Sequence, residues 1–356
     1  MKIAVTSCSD PLEQPVQRVW ASIAQARPDH LILLGDQIYM DYGPKIVSLF
    51  WSNPSNGAPA KFTDVDFAAH MYARYAAQWR SMQASGLWRL PELKVHGIWD
   101  DHDFAWNNSY GAGQSKGTDP ENKQPVPASK QQIARFLFRQ FFQSLRAPAY
   151  PANALLTQQR IEQLNENLAQ AVFYSDLLPS NAIEGLVELA PDVRLLLTDG
   201  RTFRTAQEES GAIGTLLGTA QMGWLQSSIK PNAITLIASS STLDSAPERW
   251  NRYRDYQELL DYLGTQNDAR VLLLSGDIHH TDLRDNHGPR LIELVASGAA
   301  RPFGNWSPFR ASRGNHAVCE ITASHIQVEM REGEPSGWAE RQRSATIDRA
   351  AWRVQR

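Results

Sequence analysis

The sequence predicts an α/β protein with a largely parallel or mixed sheet. Short runs rich in Val, Ile and Leu recur along the chain without polar alternation, as expected of strands that are buried on both faces. Segments with helical periodicity lie between several of these runs, and this alternation is typical of α/β architecture. Because no internal repeat and no shift of composition marks a boundary, residues 1–356 are interpreted as a single domain.

The elements follow from these patterns in chain order. The predicted strands are residues 3–6, 30–34, 95–99, 193–198, 233–238, 271–274 and 291–295. The predicted helices are residues 16–26, 67–79, 131–145, 221–229 and 253–263. The polar segment 109–128, rich in Gly, Pro and Lys, is predicted to be a surface loop or lid. Residues 300–356 are predicted to hold C-terminal strands and a tail, with an antiparallel pair over 316–332 between turns at 312–315 and 332–337.

Charge and composition exclude several classes of protein. The chain has 35 Lys and Arg against 38 Asp and Glu, so its net charge does not favour electrostatic binding to nucleic acid or to an anionic membrane. No apolar stretch approaches the roughly 20 residues of a spanning helix, and the apolar N-terminal run is too short for a secretory signal. The two cysteines, Cys8 and Cys319, exclude a disulfide framework and favour a reducing compartment. We therefore expect a cytoplasmic protein without a membrane partner; its oligomeric state is left open.

Polar side chains follow five of the predicted strands at the point where each strand ends. These segments are residues 7–10, 35–41, 100–103, 199–204 and 275–280. In open α/β sheets, ligands bind at the carboxyl ends of the strands. One such segment is consistent with a solvated loop, whereas five together predict a functional site with Cys, Asp, Tyr, His and Arg side chains on one rim.

The residue types at this rim predict a metal cluster. The candidate ligands are Cys8, Asp36, Tyr39, Asp101, Asp277 and His279. Clustered carboxylates repel one another unless a cation neutralises them. A thiolate and a phenolate favour a trivalent ion such as Fe3+, and imidazole is a common ligand of transition metals. The carboxylates suit a hard cation such as Ca2+, with Mn2+, Mg2+ or Zn2+ as alternatives in one position, and Asp36 is expected to bridge the two sites.

Such a cluster is suited to phosphoryl transfer. Two metals about 3.5–4 Å apart can activate a bridging hydroxide and clamp the attacking and leaving oxygens. Arg201 and Arg204 are candidate phosphate partners because guanidinium matches phosphate geometry. His102 lies among acidic residues, which suit it to donate a proton to the leaving alkoxide. The predicted function is a metal-dependent hydrolase of small phosphomonoesters, phosphodiesters or both. A non-catalytic metal- or phosphate-binding module and a metal hydrolase of non-phosphate esters are the alternatives.

The ordered motifs resemble those of the PhoD-like alkaline phosphatases, relatives of the purple acid phosphatases and the calcineurin-like metallophosphoesterases. The motifs are Thr6-Ser7-Cys8, Gly35-Asp36-Gln37-Ile38-Tyr39-Met40-Asp41, Trp99-Asp100-Asp101-His102-Asp103, Asp199-Gly200-Arg201-Thr202-Phe203-Arg204 and Ser275-Gly276-Asp277-Ile278-His279. The resemblance runs from about residue 3 to about residue 300. It implies a four-layer α/β/β/α sandwich of mixed sheets, with metals at the strand ends.

The resemblance also implies residue roles. Fe3+ would be held by Cys8, Asp36, Tyr39 and His279, and Ca2+ by Asp36, Asp101 and Asp277. The proton donor would be His102, with Asn107 and Arg201 near the phosphate. Further polar residues are interpreted as support for the ligands or as substrate contacts, namely Asp100, Asp103, Asp199, Arg204 and His280. Phe203 stands where the family often has tyrosine. The β domain and export signal of secreted members are not recognised, so extracellular phosphate scavenging is not expected.

Overall fold

The computed structural model describes residues 1–12, 16–41, 58–113, 125–168, 185–209, 212–300, 314–333 and 340–355. Within these ranges the strands are β1 Lys2–Thr6, β2 His30–Leu34, β3 Lys94–Ile98, β4 Gly185–Ala190, β5 Val193–Leu197, β6 Glu208–Glu209, β7 Ala212–Ile213, β8 Ile234–Ser239, β9 Arg270–Ser275, β10 Thr281–Arg284, β11 Leu291–Ala296, β12 His316–Ile321, β13 His325–Gly333, β14 Glu340–Asp348 and β15 Arg353–Gln355. The helices are α1 Val19–Ala26, α2 Ala58–Lys61, α3 Asp64–Gln83, α4 Asp101–Phe104, α5 Ala128–Ser144, α6 Gln158–Leu168, α7 Thr219–Ser228 and α8 Arg254–Thr265.

Two large mixed sheets carry the fold. Sheet 1 has the order β15-β14-β13-β12-β1-β2-β3, and sheet 2 has the order β10-β11-β9-β8-β5-β4. In sheet 1, β1, β2 and β3 are parallel, while β12 to β15 form an antiparallel meander that joins at β1. In sheet 2, β5, β8, β9 and β11 are parallel, and the edge strands β4 and β10 are antiparallel to their neighbours. All seven predicted strands are confirmed, with ends that differ by at most one residue.

The sheets are stacked, and each is covered by helices on its outer face. In sheet 2, Leu195 and Leu236 pack into the large core shared with sheet 1, whereas their neighbours Leu196 and Ile237 pack with α7 and α8. This alternation explains why the strands have continuous apolar sequences, because both faces are buried. On sheet 1, α5 packs against β3, α3 packs against α5, and α1 lies on β12. The predicted α/β/β/α sandwich of mixed sheets is therefore confirmed.

The helices differ from the predictions mainly at their ends. The helix predicted over 67–79 extends over Asp64–Gln83, because the Thr63 side chain caps its start by accepting a hydrogen bond from the Asp66 N–H at 3.1 Å. Helices α2 and α6 and the edge strand β4 were not predicted. None of the described helices combines the length and the apolar character needed to cross a membrane.

The loop and C-terminal predictions are met in part. Of the predicted loop 109–128, residues 109–113 and 125–127 lack helix and strand, α5 begins at Ala128, and residues 114–124 lie outside the described ranges. The antiparallel pair predicted over 316–332 is β12 with β13, and β14 and β15 extend it. The predicted turns at 312–315 and 332–337 fall largely outside the described ranges.

Candidate metal centre

The ends of both sheets meet closely at the predicted rim. Gly35 follows β2 with φ +97°, and a Cβ atom there would lie 2.5 Å from Cβ of Asp100. Gly276 follows β9, and a Cβ atom there would lie 3.0 Å from the carbonyl oxygen of Leu34. Side chains larger than hydrogen would therefore separate the segments that carry the predicted ligands.

Four predicted ligands have left-handed backbone conformations. The φ angles are 62° at Cys8, 54° at Asp36, 72° at Asp277 and 56° at His279. Such angles are uncommon for residues other than glycine, and they cluster at functional sites because the surrounding structure must impose them. Backbone hydrogen bonds do so here, from the Cys8 N–H to the Gly35 carbonyl at 3.1 Å and from the Ser9 N–H to the Asp36 carbonyl at 2.7 Å.

Asp36 lies at the centre of the acidic part of the site. One ligand atom each of Asp36, Asp101 and His102 lies within 4.8 Å of the others, and all three residues are buried. The Oδ1 atom of Asp36 is buried and has no hydrogen-bond partner. A buried carboxylate oxygen without a partner is costly in the absence of a cation, so this atom fits a metal ligand.

Cys8, Tyr39 and His279 supply the softer donor atoms of the site. The Cys8 thiol donates to Asp36 Oδ2 at 3.6 Å and lies 3.2 Å from Oγ of Ser297. Burial raises the pKa of Cys8 to about 11, so a cation is needed to hold its thiolate at neutral pH. The hydroxyl of Tyr39 lies 3.2 Å from Nε2 of His279. Asp36 thus contacts the Cys8 thiol, and the Tyr39 phenol contacts the His279 imidazole; together these donor types fit a transition metal such as iron.

Burial and neighbouring negative charge dominate the pKa of two of the carboxyl groups, Asp36 and Asp277. Burial, followed by the neighbouring Cys8 and Asp101, raises the pKa of Asp36 well above its usual value. Burial, followed by the Asp100 and Asp101 charges, does the same to the pKa of Asp277. Burial also opposes ionisation of Asp101, but His102, Arg201 and the Asn108 N–H together hold its pKa at about 2. Metal cations would stabilise the ionised carboxylates.

The predicted phosphate partners Arg201 and Arg204 lie beneath the site in a buried ion-pair network. Arg201 is fully buried; its Nε donates to Asp100 Oδ1 at 2.7 Å and its Nη1 lies 2.7 Å from Oε2 of Glu248. Arg204 is 1% exposed, and its Nη1 lies 2.9 Å from the other oxygen of Glu248. These contacts direct both guanidinium groups to protein carboxylates, and their contact with substrate phosphate stays a prediction.

The remaining predicted residues surround the ligands. Asp103 accepts hydrogen bonds from Gln37 N at 2.9 Å and from the Tyr75 hydroxyl at 3.2 Å, which fixes the turn after β2. Asp199 accepts from the indole N–H of Trp99 at 2.8 Å and holds the turn that carries Arg201. These contacts are structural.

Asn107 and His280, two predicted substrate contacts, have few described hydrogen bonds. The Asn107 side chain is exposed, and its backbone N–H donates to Asp41 at 2.9 Å. His280 is partly buried, with Nδ1 3.1 Å from the carbonyl oxygen of Ile278. The described contacts of both residues are to the protein backbone or to Asp41, and neither reaches a predicted metal ligand.

Three residues of the site were missed by the sequence reasoning. Asp41 pairs with His102, Glu248 joins the two arginines, and Ser297 contacts Cys8 and accepts a hydrogen bond from the His279 N–H. Asp41 ends the motif of residues 35–41, and its position two residues after Tyr39 could have indicated a place in the site. Glu248 and Ser297 had no such signal, because each lies outside the five strand-end segments.

Comparisons with known proteins bear on the family and the fold of the chain. Residues 3–172 match the sequence model of the PhoD-like phosphatases. A solved structure described as the structure of PhoD aligns with 100% of this chain and 71% of its own, at 16% identity and a TM-score of 0.65. A single mutant of Vps29 from Entamoeba histolytica aligns with 98% of this chain and 100% of its own, at 8% identity and a TM-score of 0.36. Vps29 from Cryptosporidium parvum aligns with 98% and 97%, at 8% identity and a TM-score of 0.33. No curated protein matches the chain.

The two stacked mixed sheets, with buried candidate metal ligands at their strand ends, define a protein of metallophosphoesterase-like fold. Within that class, residues 3–172 match the PhoD-like phosphatase family, and the structural alignment with PhoD shows that the same fold continues over the rest of the chain.

Proposed function

We propose that the protein is a metal-dependent phosphoesterase that hydrolyses small phosphomonoesters, phosphodiesters or both. The observation that carries this proposal is the position of Asp36. Its Oδ2 faces the Cys8 thiol, its Oδ1 is buried without a hydrogen-bond partner, and one ligand atom each of Asp101 and His102 lies within 4.8 Å of one of its oxygens. One carboxylate between two unlike sets of donors is suited to bridge two different metal ions.

The donor types suggest how the ions would be distributed. Cys8, Tyr39 and His279, with Asp36, would hold Fe3+, and Asp36, Asp101 and Asp277 would hold Ca2+ or, alternatively, Mn2+, Mg2+ or Zn2+. When bound, such a pair supplies a water of lowered pKa as nucleophile and positive charge for the phosphate oxygens.

The chain itself supplies proton transfer and orientation. His102 Nδ1 donates to the Asp41 carboxylate at 2.5 Å, so the protonated imidazole would give the proton on its other nitrogen, Nε2, to the leaving alkoxide and become neutral. The network of Glu248, Arg201 and Asp100 fixes the start of α4, which carries Asp101 and His102. Buried pairing of this kind holds both side chains in one geometry, as a preorganised site requires.

Metal analysis paired with an ester assay tests the proposal. Protein purified without chelators is expected to contain iron and a second metal, to show a visible absorption band from tyrosinate bound to iron, and to hydrolyse p-nitrophenyl or bis-p-nitrophenyl phosphate. Tyr39→Phe should remove the band, whereas Tyr262→Phe on α8 should keep it. Colourless, iron-free protein that stays inert after metal reconstitution would overturn the proposal, and phosphate binding without turnover would indicate a non-catalytic binding module.

Asp36→Asn tests the bridging role directly. The substitution keeps the size of the side chain but removes the negative charge that both ions would share, so metal content and turnover should fall together. Asp268→Asn, at an exposed position before β9, is the matched control and should leave both unchanged. Near-wild-type turnover in Asp36→Asn would contradict a bridging carboxylate.

A further inference from the structure

A second group of metal-binding side chains lies outside the metal centre described above. One ligand atom each of Asp244, His287 and Glu293 lies within 4.8 Å of the others. Glu293 is in β11, Asp244 follows β8, and His287 is in the connection between β10 and β11. None of the three belongs to the strand-end motifs, so this cluster, called the β11 cluster below, is independent of the proposed function.

His287 is the residue that points to a ligand. It is 8% exposed, and its buried Nε2 atom has no hydrogen-bond partner. That atom faces Oε2 of Glu293 at 3.4 Å. Two ligands of one tetrahedral Zn2+ ion, with bonds of about 2.0–2.1 Å, lie about 3.3–3.4 Å apart. The spacing is therefore long for a strong hydrogen bond and matches that of two donors on one metal.

Glu293 is fixed in the orientation that such a site needs. It is fully buried, and its Oε1 accepts hydrogen bonds from the Leu243 N–H at 2.8 Å and from the Ser275 hydroxyl at 2.9 Å. These bonds leave Oε2 directed into the β11 cluster. Second contacts that orient a ligand in this way are typical of metal sites in proteins.

The β11 cluster already attracts positive charge. Nη1 of Arg284 lies 2.9 Å from Oδ1 of Asp244 and 3.4 Å from Oε2 of Glu293, and its Nε lies 2.9 Å from Asp282. One guanidinium thus faces three carboxylates. The Arg284 side chain is 16% exposed, and a cation bound by Asp244 and Glu293 would have to take the place of its Nη1 end, while Nε could keep its pairing with Asp282.

We propose that Asp244, His287 and Glu293 bind a divalent cation of the Zn2+ type. One imidazole and two carboxylates form a ligand set that Zn2+ accepts, with water in the fourth position. A cavity of about 320 Å3, lined by His287 and by α8 residues such as Leu260 and Asp261, gives the ion a path to the site. Because Glu293 also holds Ser275, two residues before Asp277, the bound ion would rigidify the end of β9.

The test compares bound metal between variants of the full chain. Protein stripped with chelator and reloaded with Zn2+ is analysed by mass spectrometry for metal content, and its thermal unfolding is followed with and without Zn2+. We expect His287→Gln to bind one Zn2+ fewer per chain than wild type and to lose part of the Zn2+-dependent rise in Tm. His325→Gln, which removes a histidine at the start of β13, is the matched control and should behave as wild type.

Asp244→Asn guards against a folding defect at the buried histidine. Its side chain is 36% exposed, so the substitution is tolerated by the fold, and it too should lose one Zn2+. Equal Zn2+ content and equal Tm shifts in wild type and in whichever of the two variants folds would overturn the proposal and leave Arg284 as the cation of the β11 cluster. These variants keep every proposed ligand of the metal centre around Asp36. A negative result for the β11 cluster therefore does not bear on the phosphoesterase proposal.

Discussion

Nδ1 of His102 lies 2.5 Å from Oδ1 of Asp41, and both side chains are buried. A carboxylate can only accept, so Nδ1 carries the hydrogen and Nε2 is directed away from Asp41. The second Asp41 oxygen accepts from the Asn107 N–H at 2.9 Å, which fixes the carboxylate. Asp41 is therefore a positioning residue that orients the predicted proton donor and pairs with its protonated, imidazolium form.

Asp41→Asn should lower phosphoesterase turnover by about ten- to a hundredfold, the usual loss when an orienting partner is removed. The asparagine side chain carries no charge to pair with the protonated imidazole, and it can present its NH2 group to Nδ1 and so disfavour the imidazolium. Both the magnitude of kcat and its dependence on pH should change, whereas the metal content should stay at the wild-type value. An unchanged profile, or a loss of metal equal to the loss of turnover, would contradict the positioning role; Asp268→Asn serves again as control.

Glu248→Gln should destabilise the fold by about 3–5 kcal/mol in chemical denaturation, because it leaves the buried charges of Arg201 and Arg204 without their shared partner. The control is Glu258→Gln on α8. Glu258 pairs with Arg254 at 3.7 Å, but both side chains are about half exposed, so this change should cost less than about 0.5 kcal/mol. Similar losses in the two variants would show that the buried network does not stabilise the site.

Gly35→Ala should disrupt the metal centre. The added Cβ would lie 2.7 Å from the backbone N of Asp100, and φ is +97°. Left-handed strain of about 1–2 kcal/mol adds to about 1–3 kcal/mol of overpacking. Gly223→Ala on α7, where a Cβ meets nothing within 4 Å, should instead stabilise the protein by about 1 kcal/mol. Equal unfolding midpoints for the two variants would refute the steric argument.

Stability should fall in acid partly because of His316. This residue in β12 is fully buried, and burial followed by the Arg331 charge lowers the pKa of His316 to about 3. Between that value and about 6.5 the unfolded chain binds one more proton than the folded chain, so stability is present at neutral pH and decreases as pH falls. The slope from this residue is about 1.4 kcal/mol per pH unit.

His316→Asn should remove that part of the pH dependence. Urea unfolding at pH 4, 5, 6 and 7 gives the slope for both proteins. His96, whose pKa burial and His30 lower to about 4, keeps a similar but separate contribution in the variant. If the slope of the variant equals that of wild type, the buried neutral His316 is not a source of acid sensitivity.

The strands could be predicted from the sequence because each is an apolar run of the right length, with both faces buried. The strand ends could be predicted as a site because parallel strands deliver their following residues to one edge, and Cys8, Asp36 and Asp101 do lie there. Their roles as ligands stay predictions that metal analysis tests.

The sequence could not distinguish a buried arginine from a substrate contact. Arg201 and Arg204 carry charges that fit phosphate, yet in the fold Glu248 lies between them. That pairing depends on a loop after β8 folding back onto the segment after β5. It is a tertiary contact, and no local periodicity or residue spacing in the sequence indicates it.

Sheet 1 places β1 between β2 and β12, and Ile3 is paired with Cys319 across more than 300 positions of chain. On the ribosome, more than 300 further residues must therefore be synthesised before the second edge of β1 can be covered. Asp277 and His279 also emerge late, long after Asp36. A nascent chain thus carries an open strand edge and an incomplete set of donors through most of translation, which makes synthesis the stage at which chaperones have most to shield.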